Sequence, residues 1–213
     1  TAPLMAGSIG IGVIGEAMVV TATGQETLKG GKPENNGKYH RKFAPAASFF
    51  AQYTFMDDGF VIGISRIPYR TGLGKINKTR PDNLATYTTA LAPFVVQHVE
   101  AALKNHQTVY FETPGLGGGG SGGLYLTGGL TTVDLLTEES LGTGSSYPDA
   151  SVDGYTVGLG WKTGTDSGML AKIAAEYTDY EDVQLKSTGS DTSSTIDATL
   201  DTMSIKVSVG YSF

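Results

Sequence analysis

The sequence predicts an all-β fold: an eight-stranded antiparallel up-and-down transmembrane β-barrel with short periplasmic turns and long extracellular loops. Two observations predict it. Eight stretches of strand length alternate apolar and polar residues with a period of two. Short and long connections also alternate along the chain, which is the layout of membrane barrels. No apolar run approaches the roughly 18 residues of a transmembrane helix candidate, and the mean hydropathy of -0.08 suits alternating strands.

The final strand shows the alternation most clearly. Its apolar face carries Met203, Ile205, Val207, Val209, Tyr211 and Phe213, and serines, threonines, Lys206 and Gly210 lie between them. The other seven predicted strands are 8–23, 42–56, 60–69, 99–113, 124–136, 155–162 and 169–178. The stretch 94–105 also fits helical spacing, and 84–94 before it is predicted to be a loop with room for a short helix.

The connections between these strands differ in length in a regular way. Tight turns are predicted at 57–59 and 164–168, and a glycine-rich turn, natural or engineered, at 114–123. Long polar connections are predicted at 24–41, 70–97, 137–153 and 179–199. An even number of strands places both termini at the short-turn end. The whole chain, 1–213, is predicted to be one domain.

The polar faces are predicted to point inward and the apolar faces outward. The polar faces are rich in Gly, Ser and Thr and lack the dense charge of a soluble surface. Eight aromatic residues map to the short-turn end: Tyr53, Phe55, Phe60, Phe111, Tyr125, Trp161, Tyr211 and Phe213. Four map to the long-loop end: Tyr69, Tyr155, Tyr177 and Tyr180. Two such girdles are expected at the two membrane interfaces, whereas a soluble ligand-binding barrel would be apolar inside.

This orientation places eight charged residues in the lumen: Glu16, Glu100, Lys104, Glu112, Lys162, Lys172, Glu176 and Lys206. Buried charges need partners, because an unpaired one is costly. An eight-stranded barrel is just wide enough for side chains to fill. We therefore predict a largely plugged, salt-bridged lumen, with a narrow path for ions or small solutes as the alternative.

Composition excludes several classes of function. The chain has no cysteine, which rules out zinc–thiolate sites, iron–sulfur clusters and thiol nucleophiles. A net charge of -6 argues against nucleic acid as a partner. The glycines around Gly10-Ile11-Gly12 lie inside a strand and not at a strand-to-helix turn, so no dinucleotide or other cofactor is expected.

The chain resembles the small outer-membrane β-barrels of Gram-negative bacteria, such as the membrane domain of the OmpA type. The resemblance rests on Ile205, Val207, Val209, Tyr211 and Phe213 of the last strand and on the stretch 154–161; the loop 139–147 resembles those of marine bacterial members. The resemblance implies an outer-membrane location, export with removal of a signal peptide, and recognition of the C-terminal aromatic by the barrel-assembly machinery. With no periplasmic domain after Phe213, a cell-wall tether is not implied.

Candidate chemical sites are weak in comparison. A lipid-modifying barrel enzyme would need a Ser–His pair and an acid, for which His98 with Glu100 is a candidate. Loop acids at 179–182 near His40 would be needed for an omptin-like protease. The acidic loops could bind Ca²⁺, but no EF-hand spacing is present and a solvated rim is favoured. A basic patch, Lys38 with His40, Arg41 and Lys42, could contact lipopolysaccharide headgroups or be an ordinary loop cluster.

These observations together favour a non-enzymatic outer-membrane barrel with a structural or surface-recognition role through its extracellular loops. No catalytic residue, metal or cofactor is predicted. The expected partners are outer-membrane lipid or lipopolysaccharide and the assembly machinery, and self-association or a surface ligand through the loops stays open.

Overall fold

The structure is a computed structural model that describes residues 7–28, 32–33, 38–55, 59–81, 94–117, 122–140, 145–165, 167–189 and 194–213. In this part of the chain the barrel has eight strands: β1 (Ser8–Leu28), β2 (Lys38–Thr54), β3 in two segments (Val61–Arg66 and Thr71–Pro81), β4 (Phe94–Glu112), β5 (Gly123–Ser140), β6 (Ala150–Gly164), β7 (Met169–Tyr180) and β8 (Thr195–Ser212). Of four short segments, Lys32–Pro33 pairs with β1 and Val183–Lys186 with β8, whereas Ser145–Ser146 and Thr188–Gly189 form a separate two-stranded sheet.

The sheet closes on itself. Each barrel strand pairs antiparallel with the next, and β8 pairs with β1, so the predicted up-and-down topology is confirmed. Following paired residues once around the barrel from Ile11 leads back to β1 at Thr21, a shear of ten residues. With eight strands this shear corresponds to a tilt of roughly 40°, in the usual range for barrels. The described residues contain no helix that is long and apolar enough to cross a membrane.

The strands are longer than predicted at the end opposite the termini. Much of the sequence predicted as four long connections forms strand instead. The pairing between neighbouring strands extends into these stretches; for example, Thr27 of β1 still pairs with Thr195 of β8. The helical alternative for 94–105 is wrong, since this stretch pairs with both the second segment of β3 and β5. The predicted loop at 84–93 lies outside the described residues, as do 118–121 of the glycine-rich turn.

The turns at the terminal end are short, as predicted. The Phe55 N–H donates to the Phe60 carbonyl across the first turn at 2.8 Å. In the third turn Gly168 has a φ of 87°, a left-handed conformation that glycine adopts without strain. Two backbone hydrogen bonds of 3.0 Å join Ile9 and Phe213, which places the two ends of the described chain together.

The outside of the barrel is an apolar band. Large apolar side chains that point outward are exposed on every strand, among them Ile205, Val207, Val209, Tyr211 and Phe213 of the last strand. Most of the predicted girdle aromatics also face outward. Tyr125 and Tyr180 do not: they are only 3% and 4% exposed and point into the barrel, so their girdle assignment is wrong. Their neighbours in sequence, Leu124 and Asp179, take the outward positions.

The interior changes in polarity along the axis. The periplasmic half holds charged and polar side chains, and a band of threonines follows. The extracellular half holds an apolar cluster of buried residues: Met18, Val20, Ala44, Leu103, Val133, Tyr147, Val152, Tyr180, Val183, Leu185 and Leu200. Among the described residues, the charged part of the predicted polar lumen therefore lies in the periplasmic half, and the extracellular half is largely apolar.

Candidate functional site

The centre of the periplasmic half is a buried ion pair between β7 and β4. The Lys172 ammonium lies 2.6 Å from Glu112 Oε1 and also donates to Gln52 Oε1 at 2.6 Å. The two charged side chains are only 6% and 5% exposed. Lys162 of β6 approaches the other oxygen of Glu112 at 3.8 Å and donates to the Thr113 carbonyl.

A second group of charges lies beside the first. Lys206 of β8 is 2.7 Å from Glu176 Oε2 and 3.9 Å from Glu16 Oε1. The two groups together contain three lysines and three glutamates, so their formal charges cancel. Such balance allows ions to remain in a desolvated interior, because every charge has an opposite charge within 4.0 Å.

Aromatic rings enclose the lysines. The Lys172 ammonium lies 5.6 Å from the Phe50 ring centre, 5.7 Å from that of Tyr110 and 5.9 Å from that of Tyr125. Ring faces attract cations at such distances. Alternation alone predicts that Phe50 and Tyr110 point inward, because they share the inward faces of their strands with polar residues. Their contact with the Lys172 ammonium was not predicted, because aromatic residues were expected on the outer face.

A small cavity lies within this network. Its volume is about 30 Å³, and Glu112, Lys172, Glu176 and Lys206 are among its lining residues. Glu112 Oε2 has no hydrogen-bond donor among the described residues and is buried. The space is enough for about one or two water molecules, which would satisfy that oxygen.

A chain of threonine hydroxyls crosses the inner wall above the charges. Thr108, Thr131, Thr156 and Thr178 lie on β4, β5, β6 and β7, and successive hydroxyls are 2.9, 2.7 and 2.8 Å apart. Just above them His106 Nε2 lies 2.9 Å from the Tyr180 hydroxyl. The chain runs around the wall and not along the axis, so it links strands to one another.

An apolar cluster lies inside the barrel above this band. Met18, Leu103 and Val133 are 1%, 2% and 0% exposed and come from β1, β4 and β5. Tyr147 lies over the cluster, and its hydroxyl donates to Glu26 Oε1 at 3.0 Å. The cluster forms a second layer of the interior, and it differs in chemistry from the charged network below it.

The structure brings six of the eight predicted lumen charges together and leaves two out. Lys104 is exposed, so its lumen assignment is wrong. A β-bulge between Lys104 and Gln107, with Asn105 at a φ of 53°, shifts the alternation of β4 and turns Leu103 inward instead. Glu100, above the bulge, is partly exposed and pairs with Arg70 at 3.3 Å.

The candidate chemical sites are not assembled in the described residues. His106 is buried against Tyr180, His40 is exposed, and the His98 side chain lies outside the described set. No group of three or more His, Asp or Glu in this part of the chain is arranged to hold a metal ion.

An apolar exterior, a lumen whose periplasmic half is polar and charge-balanced, and a closed meander of eight strands define an outer-membrane type of β-barrel. Solved structures agree with this class. The outer membrane protein OprG from Pseudomonas aeruginosa is similar with a TM-score of 0.59 and 16% identity, over 98% of this chain and 97% of that one. The identity is low, so this similarity shows the fold alone.

Two further solved outer-membrane proteins are similar at lower scores. Ail, the attachment invasion locus protein of Yersinia pestis, has a TM-score of 0.41 and 12% identity over 96% of this chain and 99% of that one. The outer membrane protease OmpT from Escherichia coli has a TM-score of 0.47 and 9% identity over 97% of each chain. No protein-family model and no curated protein sequence matches the chain. The comparisons support the barrel class and do not single out the OmpA type.

Proposed function

We propose that the protein is a non-enzymatic outer-membrane barrel with a closed lumen. Its function is to stabilise the envelope or to present a recognition surface at its extracellular end. The observation that carries the proposal is the stacking of two layers in the described interior, the charged network and the apolar cluster above it. Ions would have to break the Glu112–Lys172 pair and then pass the buried side chains of Met18, Leu103 and Val133.

In the described part of the extracellular end, short segments beyond the barrel strands are held by pairing, which a recognition surface needs. The Val183–Lys186 segment pairs with β8, and Ser145–Ser146 pairs with Thr188–Gly189. Side chains reinforce these pairings, such as Gln184 to Asp197 at 2.7 Å. Loops held on a rigid scaffold are a common place for binding residues.

A narrow channel is the competing function, and the charged cavity favours it. Its lining of Glu112, Lys172, Glu176 and Lys206 would suit small hydrated ions if water extended beyond it. The apolar cluster stands against this, because a hydrophobic constriction excludes water and ions.

Planar-bilayer recording of the folded full chain tests the proposal. We expect no sustained conductance steps, with a general porin inserted under the same conditions as the control for recording and heat-modifiable mobility as the control for folding. Sustained open-channel steps from the folded protein would reject the closed lumen in favour of the channel.

A further inference from the structure

The barrel wall has a seam between β2 and β3 in its extracellular half. Residues 49–54 of β2 pair with the first segment of β3, and the ladder stops there. Beyond it, among the described residues, 38–48 pair only with β1, and the second segment of β3, Thr71–Pro81, pairs only with β4. We use the name seam for these two facing edges, 38–48 and 71–81.

The backbone of the seam is adapted to lie without a partner strand. The Ala47 N–H donates to the Tyr69 hydroxyl, so that donor is satisfied by a side chain. Residues two apart on a strand point their N–H groups to the same side. Pro45 therefore occupies the next seam-facing position, and it has no N–H to satisfy. Unsatisfied backbone groups are costly in hydrocarbon, and these two residues remove two of them.

The seam has an apolar backing and an open front. Ala44 and Leu103 are buried behind it, and Leu73 packs against the same cluster. A Cβ added at Gly72 would meet nothing within 4 Å, so the outer side of this edge faces open space. Phe43, on the outer face of β2, is 61% exposed. A slender apolar chain could lie along this edge.

Cations stand at the upper end of the seam. Arg41 follows two residues beyond Phe43, about 5 Å further along the barrel axis, and so lies just outside the apolar band. The Lys42 ammonium is 3.8 Å from the position of a Cβ on Gly74, which places it at the seam itself. Arg41 and Lys42 are both exposed, and neither forms a salt bridge with a described carboxylate. Consecutive residues of a strand point to opposite faces, so Arg41 approaches the seam from the outer face and Lys42 reaches it from the inner face. Arg70, at the start of the second β3 segment, shares Glu100.

The outer wall of the other strands carries acidic residues nearer the membrane centre. Four aspartates lie on the outward faces of β5 to β8, Asp134, Asp153, Asp179 and Asp201, and the exposed Lys104 of β4 is paired with Asp134. An anion would thus be repelled from the outer faces of β6 to β8 and attracted to the seam.

We propose that the seam seats a phosphorylated lipid of the outer leaflet, with its headgroup phosphate on Arg41 and Lys42 and an acyl chain along the apolar edge below. A hydrocarbon chain needs no hydrogen bonds. It therefore suits an edge where Pro45 has no N–H and the Ala47 N–H already donates to the Tyr69 hydroxyl. A second copy of the chain pairing as an added strand is disfavoured for the same reason, because it needs those donors.

The experiment measures retention of lipid by the folded full chain in detergent, by native mass spectrometry. The probes are bis-phosphorylated lipid A and the same lipid with its phosphates removed. We expect the wild type to retain the phosphorylated form, and Arg41→Ala with Lys42→Ala to lower the apparent affinity about tenfold or more, as for loss of charge-assisted hydrogen bonds. Lys186→Ala, which removes an exposed lysine that pairs along β8, is the matched control and should leave retention unchanged.

A second variant tests the acyl chain separately from the phosphate. Gly72→Trp fills the open space at the seam and should lower lipid retention while Arg41 and Lys42 are intact. Equal retention of both lipid forms, equal effects of the seam and control variants, or full competition by millimolar inorganic phosphate would each overturn the proposal. None of these results depends on whether the lumen conducts, so failure here is distinct from failure of the closed-lumen proposal.

Discussion

At the scale of single residues, the periplasmic half of the lumen depends on matched charges. Lys172 has three aromatic rings around it and Glu112 at 2.6 Å, so its ammonium has exchanged water for one carboxylate, one amide and ring faces. The exchange is tolerable only while the pair is complete, because removal of one partner leaves the other charge buried.

Lys172→Met is therefore expected to destabilise the barrel by about 3 kcal/mol, at the low end of the range for breaking a buried pair. The low end applies because Lys162 remains 3.8 Å from the same carboxylate. The measurement is the unfolding midpoint in urea with the protein in lipid vesicles. Lys104→Met, at an exposed lysine, should stay within about 0.5 kcal/mol; equal effects of the two variants would contradict the buried pair.

The threonine chain makes a separate prediction. Thr131 is 1% exposed and shares hydrogen bonds with Thr108 and Thr156. Thr131→Val keeps the shape but leaves both neighbours with one partner fewer, which should cost about 1–3 kcal/mol. Thr199→Val, at an exposed position of β8, is the control in the same unfolding measurement. A loss for Thr131→Val no larger than for the control would mean that the chain adds nothing to stability.

At the scale of elements, β4 shows where a strand can and cannot be predicted from sequence. Below the bulge, Thr108 and Glu112 point inward as strict alternation requires, and so does His106. On the extracellular side of the bulge the same rule fails for Leu103 and Lys104. One extra residue in the strand exchanges the inward and outward directions of the side chains beyond it. The sequence offers no cue to the bulge except Asn105 itself, a residue type that tolerates a positive φ.

Asn105 supplies the element-scale test. Its side chain accepts from Arg66 at 3.2 Å and donates to Asp134 at 2.6 Å, and its backbone is left-handed. Asn105→Gly keeps the conformation and loses the hydrogen bonds, whereas Asn105→Val loses both. We expect the valine variant to be less stable than the glycine variant by about 1–2 kcal/mol in the same unfolding assay. If valine were as stable as glycine, the bulge would not need this conformation.

At the scale of the whole molecule, the class of fold was predictable and the filling of the lumen was not. Strand number, turn lengths and outward apolar faces follow from period and connection length, which are local. The apolar closure depends on Tyr147, Val183 and Leu185, which reach Met18 and Leu103 only after the chain has closed and folded over its extracellular end. Inward positions such as Met18 and Val20 look unremarkable in a strand whose outward positions are also apolar.

The proposed closure of the lumen by two stacked layers of different chemistry predicts how the lumen could be opened. Replacing Glu112 and Lys172 together by alanine removes the closest ion pair of the charged layer, yet Met18, Leu103 and Val133 should still exclude water. Replacing Met18 and Leu103 by alanine removes two of the large side chains of the apolar cluster, yet the Glu112–Lys172 pair should still block. We expect each double variant to stay silent in planar bilayers and only the quadruple variant to show conductance. Heat-modifiable mobility shows whether each variant is folded; a folded single-layer variant that conducts would mean that its layer alone closes the barrel.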